Sequence, residues 1–210
     1  MTDLQEMPLT AFAEALASSA PTPGGGCAAA LSGALAAGLA AMVARATAGS
    51  EKFADRADEM NEAAAEADRL RSELLSLVDA DAAAFDQVMA AFRMPKETPD
   101  QQAARSQAIQ DGYRAAVEPP LRVCTHSVRV LELAVQVAEQ GNPNAVSDAG
   151  VAALLASAAL EGAALNVEIN LGSIKDGAFR AARADEVRIA QEQGQALRDR
   201  ALTAARAKLG

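Results

Sequence analysis

Apolar residues recur every three or four positions along most of this chain, which is the spacing of one face of an α-helix. The longest such segment begins at Phe53 and ends before Pro95, and charged residues occupy its opposite face. Shorter segments with the same spacing flank it, separated by glycines, prolines or polar turns. The predicted helices span residues 8–18, 27–47, 53–92, 99–117, 121–140, 148–171 and 179–209.

The composition favours the same fold class. Half of the residues are apolar, yet only 3% are aromatic, and no stretch alternates β-branched and polar residues as a strand would. Most of the apolar content is alanine, which favours helices and disfavours strands. Pro119 and Pro120 are expected to interrupt or kink the helical segment around them. We therefore predict one all-α domain over residues 1–210, a bundle of about seven helices with long alanine-rich helices at its centre.

Two of the predicted helices carry almost no charge. Residues 27–44 are mainly Ala, Gly and Ser around a single stripe of larger residues, and their length raises the question of a membrane span. Alanine contributes little to membrane insertion, so this segment is predicted to be a buried central helix of a soluble bundle. The stripes of larger residues are Leu31, Leu35, Leu39 and Met42 in this helix, and Val151, Leu155, Ala158, Gly162, Leu165 and Ile169 in the helix over residues 148–171.

Charge and cysteine content narrow the function classes. The formal net charge is −9 from 19 basic and 28 acidic residues, and no basic stripe is present, so nucleic-acid binding is not expected. Cys27 and Cys124 are the two cysteines, and the lack of a recognisable secretory signal indicates a reduced, cytoplasmic setting. Neither a Cys/His cluster nor a nucleotide-binding motif occurs, so no metal or cofactor is expected. Cys27 and the single His126 are expected to be packing or surface residues.

Three glycines follow two prolines in residues 21–26, immediately before the first alanine-rich helix. Backbone N–H groups at a helix N-terminus have no partner within the helix, so they suit an anion or a polarised oxygen. Gly24, Gly25 and Gly26 would allow such a ligand to approach the main chain closely. The alternative is a tight connection between helices in which the glycines serve only the turn.

Asp81 occupies a position where the longest helix would otherwise carry an apolar residue, between Leu77 and Ala84. A buried carboxylate without a partner is costly, so Asp81 is expected to be hydrogen-bonded, protonated or directed into a cavity. The alternative is a solvated position at the edge of the apolar stripe.

A polar turn precedes the last but one predicted helix. Asn144 lies in this turn, and Ser147 with Asp148 begins the helix, where capping alone would explain both residues. Asn166 and Asn170 are four residues apart on one face of the helix. Their amides both donate and accept hydrogen bonds, which suits recognition of an amide-like heterocycle.

Four segments of the chain together resemble one known family. They are residues 18–26 with the alanine-rich helix that follows, 81–86 with 94–96, 141–150, and 164–170. In this order they are similar to the C-terminal family of formiminotransferase–cyclodeaminase over nearly the whole chain, and within it to the stand-alone bacterial methenyltetrahydrofolate cyclohydrolases. Two features depart from the family pattern: Cys27 follows the glycines, and the basic stretch after the first alanine-rich helix is reduced to residues 50–52.

The resemblance implies an all-helical homodimer that acts on a one-carbon derivative of tetrahydrofolate. One family reaction is the reversible hydrolysis of 5,10-methenyltetrahydrofolate to 10-formyltetrahydrofolate. The other is cyclisation of 5-formiminotetrahydrofolate with loss of ammonia. The absence of a formiminotransferase domain from this chain favours hydrolysis. A folate-binding protein without turnover and a purely structural helical dimer are the alternatives from other classes.

The resemblance also suggests roles for individual residues. Asp81 is the first candidate for the general base, and Asp148 is either its partner or a contact to the pterin ring. Lys96 is a candidate for binding a carboxylate of the glutamate moiety. The groups expected to position the substrate are Pro23, Gly24, Gly25, Gly26, Asn144, Ser147, Asn166 and Asn170.

Overall fold

A computed structural model describes residues 3–209, and within this range it contains six α-helices and no strand. Short 3₁₀ turns at Glu51–Arg56 and Pro143–Ala145 join some of the helices. The all-α prediction is confirmed, and most helix ends lie within a few residues of their predicted positions. The helices are α1 (Leu9–Leu16), α2 (Gly25–Ala48), α3 (Ala57–Phe92), α4 (Pro99–Gln140), α5 (Val146–Leu171) and α6 (Gly177–Leu209).

The predicted number of about seven helices becomes six because α4 continues through Pro119 and Pro120. Proline lacks a backbone N–H, so the carbonyl four residues earlier loses its helical partner. The carbonyl that Pro120 leaves free is that of Ala116, and the side-chain amide of Asn170 donates a hydrogen bond to it at 2.9 Å. The carbonyl that Pro119 leaves free belongs to Ala115, an exposed residue that water can reach. The helix continues because a partner is available for both carbonyls.

Small residues set the contact between α2 and α5, which lie side by side and antiparallel. A Cβ added at Gly162 of α5 would lie 3.3 Å from the Cβ of Ala29 in α2. A Cβ added at Gly33 of α2 would lie 3.4 Å from that of Ala159 in α5. The two helices therefore pack at a separation that only glycine and alanine allow at these positions.

Several large residues of these two helices face outward, although others, such as Leu160 and Leu171, are buried. Alanines fill the buried sides of α2 and α5, whereas Leu35, Met42, Leu165 and Ile169 are 53%, 42%, 66% and 74% exposed. α2 is central, as predicted, and of its stripe of larger residues Leu35 and Met42 are exposed whereas Leu31 and Leu39 are half-buried against the core. The cause is volume, because closely packed helices leave room for alanine between them and not for leucine or methionine.

Both α2 and the segment Pro143–Leu171 are long and apolar enough to cross a membrane, judged by length and composition alone. Within the protein, 61% and 56% of their most apolar stretches are buried. Core helices of soluble proteins have the same properties, so these two segments do not indicate a membrane span.

α5 runs along the length of α2, so its two ends lie at opposite ends of α2. α2 packs mainly against α3 and α5, and α4 packs against α3, α5 and α6. The backbone N–H of Asn142 donates to Oγ1 of Thr47 at 2.9 Å, which fixes the turn before α5 beside the C-terminus of α2. α5 then runs back along α2 and ends beside the α2 N-terminus.

Asn170→Ala should lower the free energy of unfolding by about 1–3 kcal/mol, because it leaves the buried Ala116 carbonyl without a donor. Asn166→Ala is the matched control, since the Asn166 amide donates to Gly162 in its own helix, and it should cost less than about 0.5 kcal/mol. Pro120→Ala restores a backbone donor, so it should reduce the cost of Asn170→Ala. Urea unfolding of the single and double variants measures this coupling. A cost of Asn170→Ala that is the same with and without Pro120→Ala would contradict the interpretation.

Candidate active site

A cavity of about 360 Å³ opens at the N-terminus of α2. Its volume lies in the range of small-molecule sites, and it combines an apolar wall with a few polar groups, as such sites do. Its apolar lining residues are Pro21, Phe85, Val88, Met89, Phe92, Tyr113, Ala116 and Ile169, and the others are Thr22, Gly24, Gly25, Gly26, Asp81, Asn166, Asn170 and Ser173.

Asp81 projects from α3 against the first turn of α2. The thiol of Cys27 lies 3.4 Å from Oδ2 of Asp81 and 3.4 Å from the Val78 carbonyl oxygen, so its single proton can be donated to either acceptor. The Cys27 backbone N–H donates to the Asp81 carboxylate. Gly26 permits this contact, because a Cβ there would lie 2.3 Å from Oδ1 of Asp81 and 2.5 Å from its Cγ and Oδ2. This glycine makes room for a carboxylate of the protein itself, whereas the sequence suggested room for a ligand.

Two opposing effects set the pKa of Asp81. Burial raises the pKa, and the hydrogen bonds from the thiol and backbone N–H of Cys27 lower it. Burial is the larger effect, so the pKa of Asp81 lies above its ordinary value. Burial also raises the pKa of Cys27 to about 12, which keeps this thiol protonated as a donor. Cys27 is fully buried, so its predicted packing role is confirmed, with the added function of orienting Asp81.

Aromatic side chains form much of the apolar wall. The rings of Phe92 and Tyr113 pack edge to face, with centroids 6.2 Å apart and planes at 83°. The guanidinium of Arg105 lies 5.5 Å from the Phe92 ring centroid and donates to the Phe92 carbonyl at 3.0 Å. Flat rings at this spacing suit an aromatic heterocycle, which they can contact by face or edge.

These aromatic residues are absent from the predicted site, although the sequence contains a signal for two of them. Phe85 and Phe92 follow Asp81 at helical spacing, which places all three on one face of α3. Because Asp81 lies on the apolar stripe of α3, the residues that continue this stripe beyond it, Phe85 and Phe92, could have been predicted as part of the same site. Tyr113 comes from α4, and its approach to the cavity depends on tertiary packing that no local pattern encodes.

Asn166 and Asn170 both line the cavity, as the sequence suggested, and each amide nitrogen already makes one hydrogen bond within the protein. Asn166 Nδ2 donates to the Gly162 carbonyl at 2.8 Å, and Asn170 Nδ2 donates to the Ala116 carbonyl at 2.9 Å. Each side chain therefore keeps one N–H donor and its oxygen acceptor for a ligand.

Two further predicted residues lie beside the cavity without lining it. Pro23 is buried, and its neighbours Pro21 and Thr22 line the cavity instead. Lys96 lies in the exposed loop that follows Phe92, a lining residue at the end of α3. Lys96 is therefore not among the residues that line the cavity.

The single histidine lies outside the cavity. Nε2 of His126 is 3.3 Å from Oε2 of Glu73, and burial lowers the pKa of this histidine. Its half-buried position between α3 and α4 agrees with the expected packing role. Among residues 3–209, no group of three His, Cys, Asp or Glu side chains is placed to hold a metal ion.

Asn144, Ser147 and Asp148 lie at the opposite end of the bundle from the cavity. About 27 Å of helix separates Asp148 from Asn166 at 1.5 Å per residue, so the expectation that Asp148 shares a site with Asp81 does not hold within one protomer. Capping does not account for Ser147 and Asp148 either. The N-cap of α5 is Ala145, and no side chain caps this helix with a hydrogen bond. The resemblance predicted a shared site, but α5 is long enough to span the bundle.

Gly26→Ala should displace the Asp81 carboxylate, because the new Cβ would overlap it. Overpacking of this kind costs about 1–3 kcal/mol of unfolding free energy, which chemical denaturation measures. Gly25→Ala is the matched control, since its Cβ would meet Asn166 Nδ2 at an ordinary 3.5 Å, and it should change stability by less than about 0.5 kcal/mol. Equal stability of the two variants would show that Asp81 does not occupy this position.

Known proteins with similar sequences belong to one family. Residues 8–189 match the family described as formiminotransferase-cyclodeaminase. Over 198 residues the chain is 41% identical to a methenyltetrahydrofolate cyclohydrolase from Methylorubrum extorquens, covering 94% of this chain and 95% of that protein. It is 37% identical over 196 residues to the formimidoyltransferase-cyclodeaminase of Gallus gallus, covering 90% of this chain but 36% of that longer protein.

A solved structure shares the fold. The crystal structure of formiminotetrahydrofolate cyclodeaminase from Thermotoga maritima matches with a TM-score of 0.89 and 28% sequence identity. The match covers 99% of this chain and 100% of that one. Together with the sequence matches over most of the chain, this shows that the protein belongs to the formiminotransferase-cyclodeaminase family.

Proposed function

We propose that this protein hydrolyses 5,10-methenyltetrahydrofolate to 10-formyltetrahydrofolate, reversibly, with Asp81 as the general base. The observation that carries the proposal is a half-buried carboxylate, held by Gly26 and Cys27, in a cavity with an aromatic wall. The 41% identity to a cyclohydrolase over nearly the full length of both chains supports the same reaction.

The cavity fits the chemistry of the substrate. Phe92 and Tyr113 offer flat surfaces to the pteridine ring, and the side-chain oxygens of Asn166 and Asn170 accept hydrogen bonds from its N–H groups. The methenyl carbon lies between two nitrogens that share a positive charge, which the Asp81 carboxylate stabilises. The attraction is stronger than in water because the site is partly removed from solvent.

The reaction uses Asp81 twice. Asp81 accepts a proton from water as the water oxygen bonds to the methenyl carbon, which gives a neutral tetrahedral adduct. The bond from this carbon to N5 then breaks, and N5 takes the bonding pair together with the proton from Asp81. The adduct hydroxyl loses its proton to solvent as the formyl C=O forms. One water is consumed, one proton is released, and Asp81 is ionised again.

Cyclodeamination of 5-formiminotetrahydrofolate is the second candidate, supported by the similarity to formimidoyltransferase-cyclodeaminases and to the Thermotoga maritima structure. In that reaction N10 attacks the formimino carbon and passes its proton to the formimino nitrogen. Protonated Asp81 then gives this nitrogen a second proton, and it leaves as ammonia. Ammonia release from this substrate separates the two enzymes. A folate-binding protein without turnover would release no ammonia and would leave the near-ultraviolet absorbance of the methenyl compound to decay at its uncatalysed rate.

The cellular location and the contact made by Lys96 are also proposals. Cys27 and Cys124 are both free and buried, which suits a reducing cytoplasm. Lys96, in the exposed loop after Phe92, is positioned to attract the glutamate carboxylates of the substrate. Water is the only co-reactant that the proposed hydrolysis needs.

Asp81→Asn should lower kcat for hydrolysis of 5,10-methenyltetrahydrofolate by about 10²–10⁴-fold, the usual contribution of a general base. The assay follows the loss of near-ultraviolet absorbance above the uncatalysed rate. Glu62→Gln alters an exposed carboxylate on the same helix and should retain the wild-type rate. Wild-type kcat in Asp81→Asn would show that another group acts as the base.

The same substitution should stabilise the fold at neutral pH, which separates lost activity from unfolding. The folded-state pKa of Asp81 is raised, so its ionised form costs stability as pH rises above the ordinary aspartate value of about 3.9. Below that value the carboxyl is protonated in both states, and the cost disappears. Asp81→Asn should therefore raise Tm at neutral pH and have little effect in acid. A Tm difference that does not change with pH would contradict the raised pKa.

Cys27→Ala should move the acidic limb of the kcat/KM profile to higher pH. It removes a hydrogen bond that lowers the pKa of Asp81, and the base is active only when ionised. Cys27→Ser keeps a donor at this position and should leave the limb close to that of the wild type. The interpretation is wrong if the limb of Cys27→Ala stays where the wild type has it.

A further inference from the structure

The loop between α5 and α6 forms part of the cavity wall. Ser173 of this loop lines the cavity and is also exposed to solvent. The next residue, Ile174, is buried in the core, and its backbone N–H donates to the Leu171 carbonyl at 3.1 Å. Ser173 and Lys175 therefore lie on either side of a fixed point in the loop.

Gln110, a half-buried residue of α4, holds this loop with both ends of its side-chain amide. Nε2 of Gln110 donates to the Ser173 carbonyl at 3.0 Å, and Oε1 accepts a hydrogen bond from the Lys175 backbone N–H at 2.8 Å. The two hydrogen bonds span Ile174, so the amide pairs with the loop as the backbone of a neighbouring strand would. Two hydrogen bonds from one planar group fix the orientation of the loop backbone at Ser173.

α4 contacts the same loop again one turn later. Nη2 of Arg114 lies 3.2 Å from Oδ2 of Asp176, whose Oδ1 accepts hydrogen bonds from the N–H groups of Ala178 and Phe179 at the start of α6. This ion pair is exposed, so it contributes little on its own. Gln110 is the residue of the two that contacts the part of the loop lining the cavity.

The hydroxyl of Ser173 is the group that this loop offers to a ligand. The backbone N–H of Ser173 donates to the Asn170 carbonyl at 3.1 Å, and its carbonyl accepts from Gln110. Both main-chain groups are therefore used within the protein. A hydroxyl can donate one hydrogen bond and also accept, so it can pair with a carbonyl or with an N–H group of a ligand.

Ser173 is well separated from the proposed base. Asn166 lies beside Gly25, and the next residue, Gly26, contacts the Asp81 carboxylate. Seven residues at 1.5 Å per residue place Ser173 about 10 Å beyond Asn166 along the axis of α5. A group at this distance contacts the ring system of a substrate and not the carbon that reacts beside Asp81.

We propose that the Ser173 hydroxyl binds the pyrimidine edge of the substrate's pteridine ring, and that Gln110 is the positioning residue that holds Ser173 in place. The inference rests on the proposed function. The pyrimidine edge combines amino and N–H donors with a carbonyl acceptor, and a hydroxyl pairs with either kind of group. Tyr113 of α4 lines the cavity one turn from Gln110, so the same helix supplies an aromatic wall and orients the hydroxyl beside it.

Steady-state kinetics test the contact. Ser173→Ala should raise KM for 5,10-methenyltetrahydrofolate about two- to tenfold, the effect of one neutral hydrogen bond, and change kcat by less than about twofold. The reason is that a contact far from the reacting carbon stabilises the ground state and the transition state equally. A fall in kcat at unchanged KM, or wild-type values of both, would overturn the contact.

Variants of Gln110 test the positioning role. Gln110→Ala should raise KM as Ser173→Ala does, and the double variant should be no worse than either single variant, because Gln110 acts through Ser173. Gln110→Glu keeps the shape and the acceptor but cannot donate to the Ser173 carbonyl at neutral pH, so it should also raise KM. Gln107→Ala is the matched control, since this exposed residue one turn earlier donates to Asp111 and should leave KM unchanged. Additive effects of the two variants, or a wild-type KM in Gln110→Glu, would contradict the positioning role.

Two fragments of the substrate identify the edge that Ser173 binds. 6-Methyltetrahydropterin carries the pyrimidine edge, and p-aminobenzoylglutamate represents the other half of the molecule. Ser173→Ala should raise the inhibition constant of the pterin about two- to tenfold and leave that of p-aminobenzoylglutamate unchanged. A rise for p-aminobenzoylglutamate instead, or no change for the pterin, would overturn the assignment.

Amide hydrogen exchange tests the contact between Gln110 and the loop without any folate. The Lys175 amide should exchange about two- to tenfold faster in Gln110→Ala, because it loses its acceptor, and at the wild-type rate in Gln107→Ala. An unchanged rate in Gln110→Ala would contradict the positioning role. Absence of turnover in the wild type would overturn the proposed function and the pteridine contact with it, but not the exchange result. Normal turnover with wild-type KM in Ser173→Ala and Gln110→Ala would overturn this inference alone.

Discussion

The close contact between Asp81 and the first turn of α2 determines the chemistry available in the cavity. The missing Cβ at Gly26 lets the carboxylate reach the backbone N–H and thiol of Cys27. Burial disfavours the charged form of this acid, while the two donors and the positive end of the helix dipole favour it. Because these effects oppose one another, Asp81 can accept a proton and return it within one catalytic cycle, as the proposed hydrolysis requires.

Close packing of small residues between α2 and α5 has two further consequences. It brings the N-terminus of α2 beside Asn166, so that backbone, carboxylate and amide groups meet around one cavity. It also leaves several large side chains of both helices, among them Leu35, Met42, Leu165 and Ile169, on the exposed side. The same packing therefore builds the site and leaves an apolar surface on the outside of the protomer.

Local patterns predicted the helices because periodicity and turn residues act over short distances. They failed at Pro119 and Pro120, since the donor to the freed Ala116 carbonyl comes from Asn170, far along the sequence. Asp81 was identified because an acid within an apolar stripe is unusual in itself. The exposure of Leu35 and Leu165 was not predictable, because hydrophobicity alone favours burial of leucine, and the separation of two particular helices reverses that preference.

The pKa of Asp81 is the quantity whose measurement tests the central claim most directly. Carbon-13 NMR of the aspartate side chains, compared between the wild type and Asp81→Asn, gives the titration of this carboxyl alone. A carboxyl held against the first turn of α2 and partly removed from water should titrate above the ordinary aspartate value of about 3.9. A pKa at or below that value would contradict both its burial beside Cys27 and its proposed role in proton transfer.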